Sequence, residues 1–198
     1  MIEKIENNFY KYAFYSVLLI LITLTVYYTQ RSKSNSNNFN FNQRYNSLLL
    51  SQSINGRNIS NQIGISFKGK NKERVDFTKP TIIILLSNFG CSQCQKREID
   101  LIKNFIKKYR INVFGFYKTE DESSILRLDR AFDITFRLCS IENEIFSDLS
   151  CINKYPQVFF IEKNKIISSL FPIIGDNQFS EIFYNNIASV IEHYAKGI

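Results

Sequence analysis

Two cysteines separated by two residues, Cys91-Ser92-Gln93-Cys94, stand between a segment that reads as a buried strand and one that reads as a helix. That placement restricts the chain more than any other feature. Thr81–Ser87 (TIIILLS) is rich in β-branched residues and apolar on both faces, the pattern of a central strand covered on two sides. Glu98–Arg110 sets Ile99, Ile102, Ile106 and Tyr109 at helical spacing, with lysines opposite. A turn from such a strand into such a helix delivers Cys91 to the helix N-terminus. Backbone N–H groups are unpaired there and the dipole end is positive. A thiolate is stabilised at that position, and its pKa is expected below the ordinary value of ~8.5. Cys91 is then the exposed nucleophile. Cys94, one turn into the helix, is the shielded thiol that resolves a mixed disulfide. The competing reading is an inert structural bridge, which has no need of a helix N-terminus.

An isolated C-x-x-C is also half of a zinc site, which requires a second pair or histidines at ligand spacing. The other cysteines, Cys139 and Cys151, are twelve positions apart, and the single histidine, His193, falls in the last helical pattern. Neither a metal nor another cofactor is expected.

The rest of the chain alternates. After the first helix, Ile111–Tyr117 reads as a strand, Ser123–Phe132 as a helix capped by Ser123 or Ser124, and Ile134–Cys139 as a strand. Asn143–Ser150 is a short helix. Gln157–Lys163 and Ile166–Phe171 form a strand pair around Lys163-Asn164-Lys165, and Asn177–Lys196 is a closing amphipathic helix. Upstream, Leu48–Ser51 and Ile59–Phe67 flank Asn55-Gly56, a hairpin turn signal, so an N-terminal β-hairpin is predicted. The fold class is therefore α/β, a mixed sheet with helices on both faces. Pro156 opens a strand, where a missing N–H does no harm. A cis Tyr155–Pro156 bond beside the cysteines would offer backbone groups to a substrate strand.

Ala13–Thr29 (AFYSVLLILITLTVYYT) carries no charge and has tyrosines at both ends. With its flanks it is long enough for a hydrocarbon core of about 30 Å. No A-x-A pattern follows, so an uncleaved transmembrane signal anchor over 13–29 is expected, with 1–12 cytoplasmic. Residues 30–47, rich in Asn and Ser, read as a flexible linker, and 48–198 as the folded domain. Flanking charges nearly tie. Four cysteines behind one anchor favour an oxidising compartment, which places the domain outside the cytoplasm, periplasmic or cell-exterior. The net charge is +7, with basic residues scattered among acids and no nucleic-acid module. The basic stretch from Lys68 to Lys79 reads as a solvated loop.

An anchor, an N-terminal hairpin, a strand–CxxC–helix unit, an extra βα unit and then YPQVFFIEKNKII together resemble the TlpA/ResA-type membrane-anchored thioredoxin-like proteins, from about Leu48 onward. The resemblance implies a thioredoxin-like domain that exchanges disulfides outside the cytoplasm, more often as a reductase. Its implied partners are protein disulfides or dithiols and an upstream membrane thiol donor. This chain departs from the pattern in three places. Phe89-Gly90 replaces the Trp before the first cysteine, Arg97 stands where a carboxylate usually follows the second, and Leu85 stands where thioredoxins bury an acid. Glu98, one turn past Cys94, is the candidate proton acceptor, against the alternative of a solvated acid on the helix surface.

Other chemistries on this fold fit less well. A peroxidase would want Pro and Ser or Thr where Ile84 and Asn88 stand, and a copper chaperone wants wider cysteine spacing and a later histidine. A non-catalytic membrane-tethered module with structural disulfides is the alternative from another class. Cys139 and Cys151 both fall near the sheet end that carries Cys91. Three readings are open for them: a mutual disulfide, two buried thiols, or a redox relay with Cys91.

Overall fold

The computed structural model describes residues 18–29, 41–59, 64–65, 73–88, 90–118, 122–141 and 143–195. The chain divides into two compact units, Met1–Gln43 and Arg44–Ile198.

In the first unit, residues 18–29 form a helix whose Leu18, Leu19, Ile20, Leu21 and Ile22 side chains are exposed. Among the described residues no helix is long and apolar enough to cross a membrane. At ~1.5 Å per residue, helix 18–29 runs about 18 Å, against ~30 Å for a hydrocarbon core. Residues 13–17 of the expected span, the N-terminal 1–12 and linker residues 30–40 lie outside the described residues.

The second unit is built on strands β3 (Thr81–Leu86), β4 (Asn112–Tyr117), β5 (Arg137–Ser140), β6 (Gln157–Glu162) and β7 (Lys165–Leu170), in the order β5-β4-β3-β6-β7. β4 runs parallel to β3 and to β5, while β6 is antiparallel to both β3 and β7. A small pair, β1 (Gly64–Ile65) and β2 (Glu73–Arg74), stands apart from this sheet. β2 lies within the stretch predicted as a solvated loop. The helices are α1 (41–54), α2 (Ser92–Lys108), α3 (Glu122–Phe132), α4 (Asn143–Leu149) and α5 (Asn177–Ala195).

Period-2 alternation divides the core. Ile82, Ile84 and Leu86 of β3 pack with Val158 and Phe160 of β6 against Ile99 and Ile102 of α2 and Phe183, Tyr184 and Ile187 of α5. Ile83, Leu85, Phe159 and Ile161 face the other way, toward Phe146 and Leu149 of α4 and Ile54 of α1. All of β3 is buried, so each of its large side chains contributes about 1.5–3 kcal/mol of apolar transfer. Lys163 and Asn164 both have positive φ (49° and 63°) and close the β6–β7 hairpin, the conformation a two-residue turn requires.

Four local expectations are corrected. Leu48–Ser51 is not a strand of a hairpin but part of α1, and 41–47 of the expected linker are helical too. Arg44, Ser47, Ser51 and Ile54 lie along one helical face, on which the Ser47 and Ser51 hydroxyls donate to Phe171 O at 2.9 Å and Ser169 O at 2.6 Å. A buried face made largely of serines carries no apolar period to read. Asn55-Gly56 ends this helix, with Gly56 at φ 89°, where a side chain would be strained. Finally, α3 begins at Glu122, so Ser123 and Ser124 sit inside its first turn and not at the cap.

Candidate active site

Strand β3 ends at Leu86, and α2 begins at Ser92. Cys91 is the N-cap residue, extended at φ −61° and ψ 109°. Its sulfur takes the place a Ser or Asp oxygen usually holds, accepting the Cys94 backbone N–H at 3.3 Å. Cys91 O accepts the Gln95 N–H at 2.9 Å, which starts the helix. The Cys94 thiol points at the same sulfur, 2.6 Å away. Cys94 is buried at 5% exposure, while Cys91 is half-buried.

The electrostatics separate the two thiols. Burial alone would raise Cys91. The Cys94 thiol, the Cys94 and Gln93 backbone N–H groups and the Arg97 charge outweigh it and hold Cys91 below its ordinary value. Burial pushes Cys94 up to about 12, helped by its hydrogen bond to Cys91 and by the negative charges of Cys91 and Glu98, against the pull of Arg97.

Glu98 is fully buried, which overturns the reading of a solvated surface acid. Its carboxylate accepts from Ser180 Oγ at 2.7 Å and from Tyr184 OH at 3.1 Å, both on α5, and from Arg97 Nε at 3.0 Å. Burial still raises its pKa, although Ser180, Arg97 and Tyr184 oppose the rise. Arg97 also donates to Ile173 O, Asn177 Oδ1 and Ser180 Oγ, so the residue in the usual carboxylate place braces α2 against α5.

The second loop meets the first. Leu85 pairs with Gln157, which sets Pro156 opposite Leu86 at the end of β3. The Tyr155–Pro156 bond is cis. A Cβ built on Gly90 would lie 3.0 Å from Tyr155 Cβ, so the loop before Cys91 and the proline loop touch. Tyr155 stacks on Phe146 at 5.5 Å and shares a 2.9 Å hydrogen bond with Ser150 Oγ.

Two buried glutamines escaped sequence reasoning. Gln157 donates through Nε2 to Ile152 O at 2.6 Å and to Lys154 O at 3.0 Å, and accepts the Cys151 N–H at 3.2 Å, so one amide shapes the loop ahead of Pro156. Gln95 does the same for the other loop, holding both backbone groups of Ser87. The available signal was a polar residue opening the otherwise apolar QVFFIE strand, and a second polar residue four past Cys91.

No disulfide joins any of the four cysteines in this structure. Cys139, fully buried in β5, and Cys151 both belong to the α4 face of the core, whereas α2 packs on the other face. Cys91, Cys94, Glu98, Tyr155 and Pro156 gather at one sheet end; the sheet separates Cys139 from α2, whereas Tyr155 packs against the same α4-side cluster as Cys139.

No protein-family model matches the chain, and no curated protein matches it in sequence. Solved structures do match. A thiol:disulfide interchange protein from Bacteroides sp. is 17% identical with TM-score 0.53, covering 70% of this chain and 90% of its own. The thioredoxin domain of a thiol-disulfide oxidoreductase from Bacteroides vulgatus is 15% identical with TM-score 0.55, covering 69% and 97%. A secreted disulfide oxidoreductase from Mycobacterium tuberculosis is 10% identical with TM-score 0.50, covering 65% and 96%. About two thirds of this chain has the fold that these domains share.

Proposed function

Taking that thioredoxin-like, thiol–disulfide oxidoreductase fold as the premise, we propose that the protein exchanges disulfides with partner proteins through Cys91 and Cys94. The observation that carries the reading is the Cys91 sulfur acting as the cap of α2, with the Cys94 thiol 2.6 Å behind it. The Cys91 thiolate attacks a partner disulfide, forms a mixed disulfide and releases the first partner sulfur as thiolate. Cys94 then loses its proton, attacks the Cys91 sulfur and releases the second. Two electrons pass to the partner, and the two protons shed by Cys91 and Cys94 end on its thiols. Cys94 begins with a high pKa, so the second step needs a proton acceptor. Glu98, buried one turn away, is the assigned group.

The TlpA/ResA-type resemblance supports the reducing direction, with recharge by an upstream membrane dithiol donor. The uncharged run 13–29, with apolar side chains exposed along helix 18–29, supports a membrane anchor and a domain outside the cytoplasm. The proline loop beside Cys91 supports binding of an extended partner segment.

An insulin-reduction assay tests the reading. The wild-type chain should reduce insulin disulfides and Cys91→Ser should not; no activity in the wild type would leave a non-catalytic module. A Cys91–Cys94 potential near roughly −270 mV fits a reductase, and one near roughly −120 mV would reverse the direction. A reporter active only outside the cytoplasm, fused after Ile198, should be active.

A further inference from the structure

The proline loop beside Cys91 stops short of pairing with the end of β3, and its role there rests on the disulfide-exchange reading above. Strand β3 directs alternate residues to its two neighbours. Leu86 O accepts the Lys118 N–H on the β4 side at 3.4 Å, whereas Leu85 lies in register with Gln157 on the β6 side. The backbone groups of residues 85 and 87 therefore point toward β6. One more step of the register, 85 with 157 and then 87 with 155, would pair Ser87 with Tyr155.

That pair is not made. The ladder stops at Leu85–Gln157. The Ser87 N–H donates instead to Gln95 Oε1 at 3.2 Å, and Gln95 Nε2 donates to Ser87 O at 3.0 Å. The side-chain amide copies the two bonds that a facing strand residue would supply. Gln95 is only 3% exposed, so water has little room to replace it. Among the described residues, Tyr155 makes no backbone hydrogen bond. Gly90 brings these groups together, since a Cβ there would lie 2.5 Å from Gln95 Nε2 and 3.0 Å from Tyr155 Cβ.

We propose that Gln95 is a positioning residue: by taking the pairing place of Ser87, it keeps the Tyr155 N–H and C=O open to the main chain of an extended partner segment laid beside Cys91. Buried peptide groups do not stay unpaired. Ser87 O also accepts the Gly90 N–H at 3.0 Å, so it is the Ser87 N–H that depends on Gln95 Oε1; without that acceptor, one more step of the ladder would offer it Tyr155 O, and the proline loop would zip onto β3. Gln95 touches no reacting atom. Its role is to hold the sheet open by one residue pair, which is where a partner strand would add.

The test compares a protein disulfide with a small one. Gln95→Leu, similar in size but without the amide, should lower kcat/KM for insulin by about tenfold, mainly through KM, as expected for losing one or two main-chain hydrogen bonds. Its rate with 5,5′-dithiobis(2-nitrobenzoic acid), which needs no strand docking, should match wild type. Equal losses on both substrates, or no loss on insulin, would overturn the proposal. A wild-type chain inert to both reagents would instead remove the disulfide-exchange reading, and this proposal with it. Amide hydrogen exchange on the wild-type protein needs no variant. The Tyr155 N–H should exchange far faster than that of Phe159 in the ladder, and equal protection would overturn the assignment even if Gln95→Leu fails to fold.

Discussion

Ser180 Oγ donates to Glu98 Oε1 at 2.7 Å, tying α5 to α2 one turn beyond Cys94. A buried carboxylate is thereby held beside the thiol with the higher pKa. Burial raises the Glu98 pKa over the opposing pull of Ser180, Arg97 and Tyr184. A group raised on folding contributes stability that is complete below its unfolded pKa, roughly 4.3, and is lost as pH rises through the folded value. Glu98→Gln cannot ionise. The wild-type advantage in urea midpoint over this variant should therefore shrink as pH rises above about 4.3. An advantage that grows with rising pH would contradict the assignment. The same variant removes a charge that raises Cys94, so NMR titration should find the Cys94 pKa below about 12.

The two thiols should react at different rates. Cys91 sits below its ordinary pKa and is half-exposed, whereas Cys94 is buried and pushed up to about 12. Iodoacetamide at neutral pH should label Cys91 much faster, and Cys94→Ser should accumulate mixed disulfides through Cys91 because the resolving step is gone. Equal labelling of both cysteines would undo the division of roles.

Gly90 has no space for a side chain. A Cβ there would meet Gln95 Nε2 at 2.5 Å and Tyr155 Cβ at 3.0 Å. Gly90→Ala should cost about 1–3 kcal/mol, the usual cost of overpacking, and displace the amide that holds Ser87. Denaturant unfolding measures the first effect. Unchanged stability together with unchanged insulin reduction would mean that the two loops have slack.

Asp176 joins two devices. It accepts the Phe179 N–H at 3.1 Å, capping α5, and binds Arg44 of α1 through both carboxylate oxygens, at 2.5 and 2.8 Å. Asp176→Ala loses the cap, worth about 0.5–2 kcal/mol, as well as the ion pair. Arg44→Ala keeps the cap and loses the pair together with an exposed bond to Gln178 Oε1 at 3.3 Å and the contact over the Phe179 ring, and the pair is partly exposed and screened by salt. Asp176→Ala should therefore unfold at lower urea than Arg44→Ala. The reverse order would show that the ion pair outweighs the cap.

Sequence alone placed Cys91 and Cys94 between a strand and a helix and ordered the elements from Thr81 onward. Those features follow from local periodicity: β-branched runs for strands, three-and-four spacing for helices, and proline at a strand start. Tertiary structure decided the rest, wherever a polar group found a distant partner. Ser47 and Ser51 make a buried helical face only because Phe171 O and Ser169 O accept from them. Glu98 is buried because Ser180 and Tyr184, far along the chain, supply its donors. Cys139 faces away from α2 because its register with Phe116 turns it to the α4 side. Gln95 gains its place because β6 stops one pair short of Ser87. A sequence records which residues are polar. Whether a polar residue faces water or is sealed inside depends on a partner that only the folded chain brings within hydrogen-bond reach.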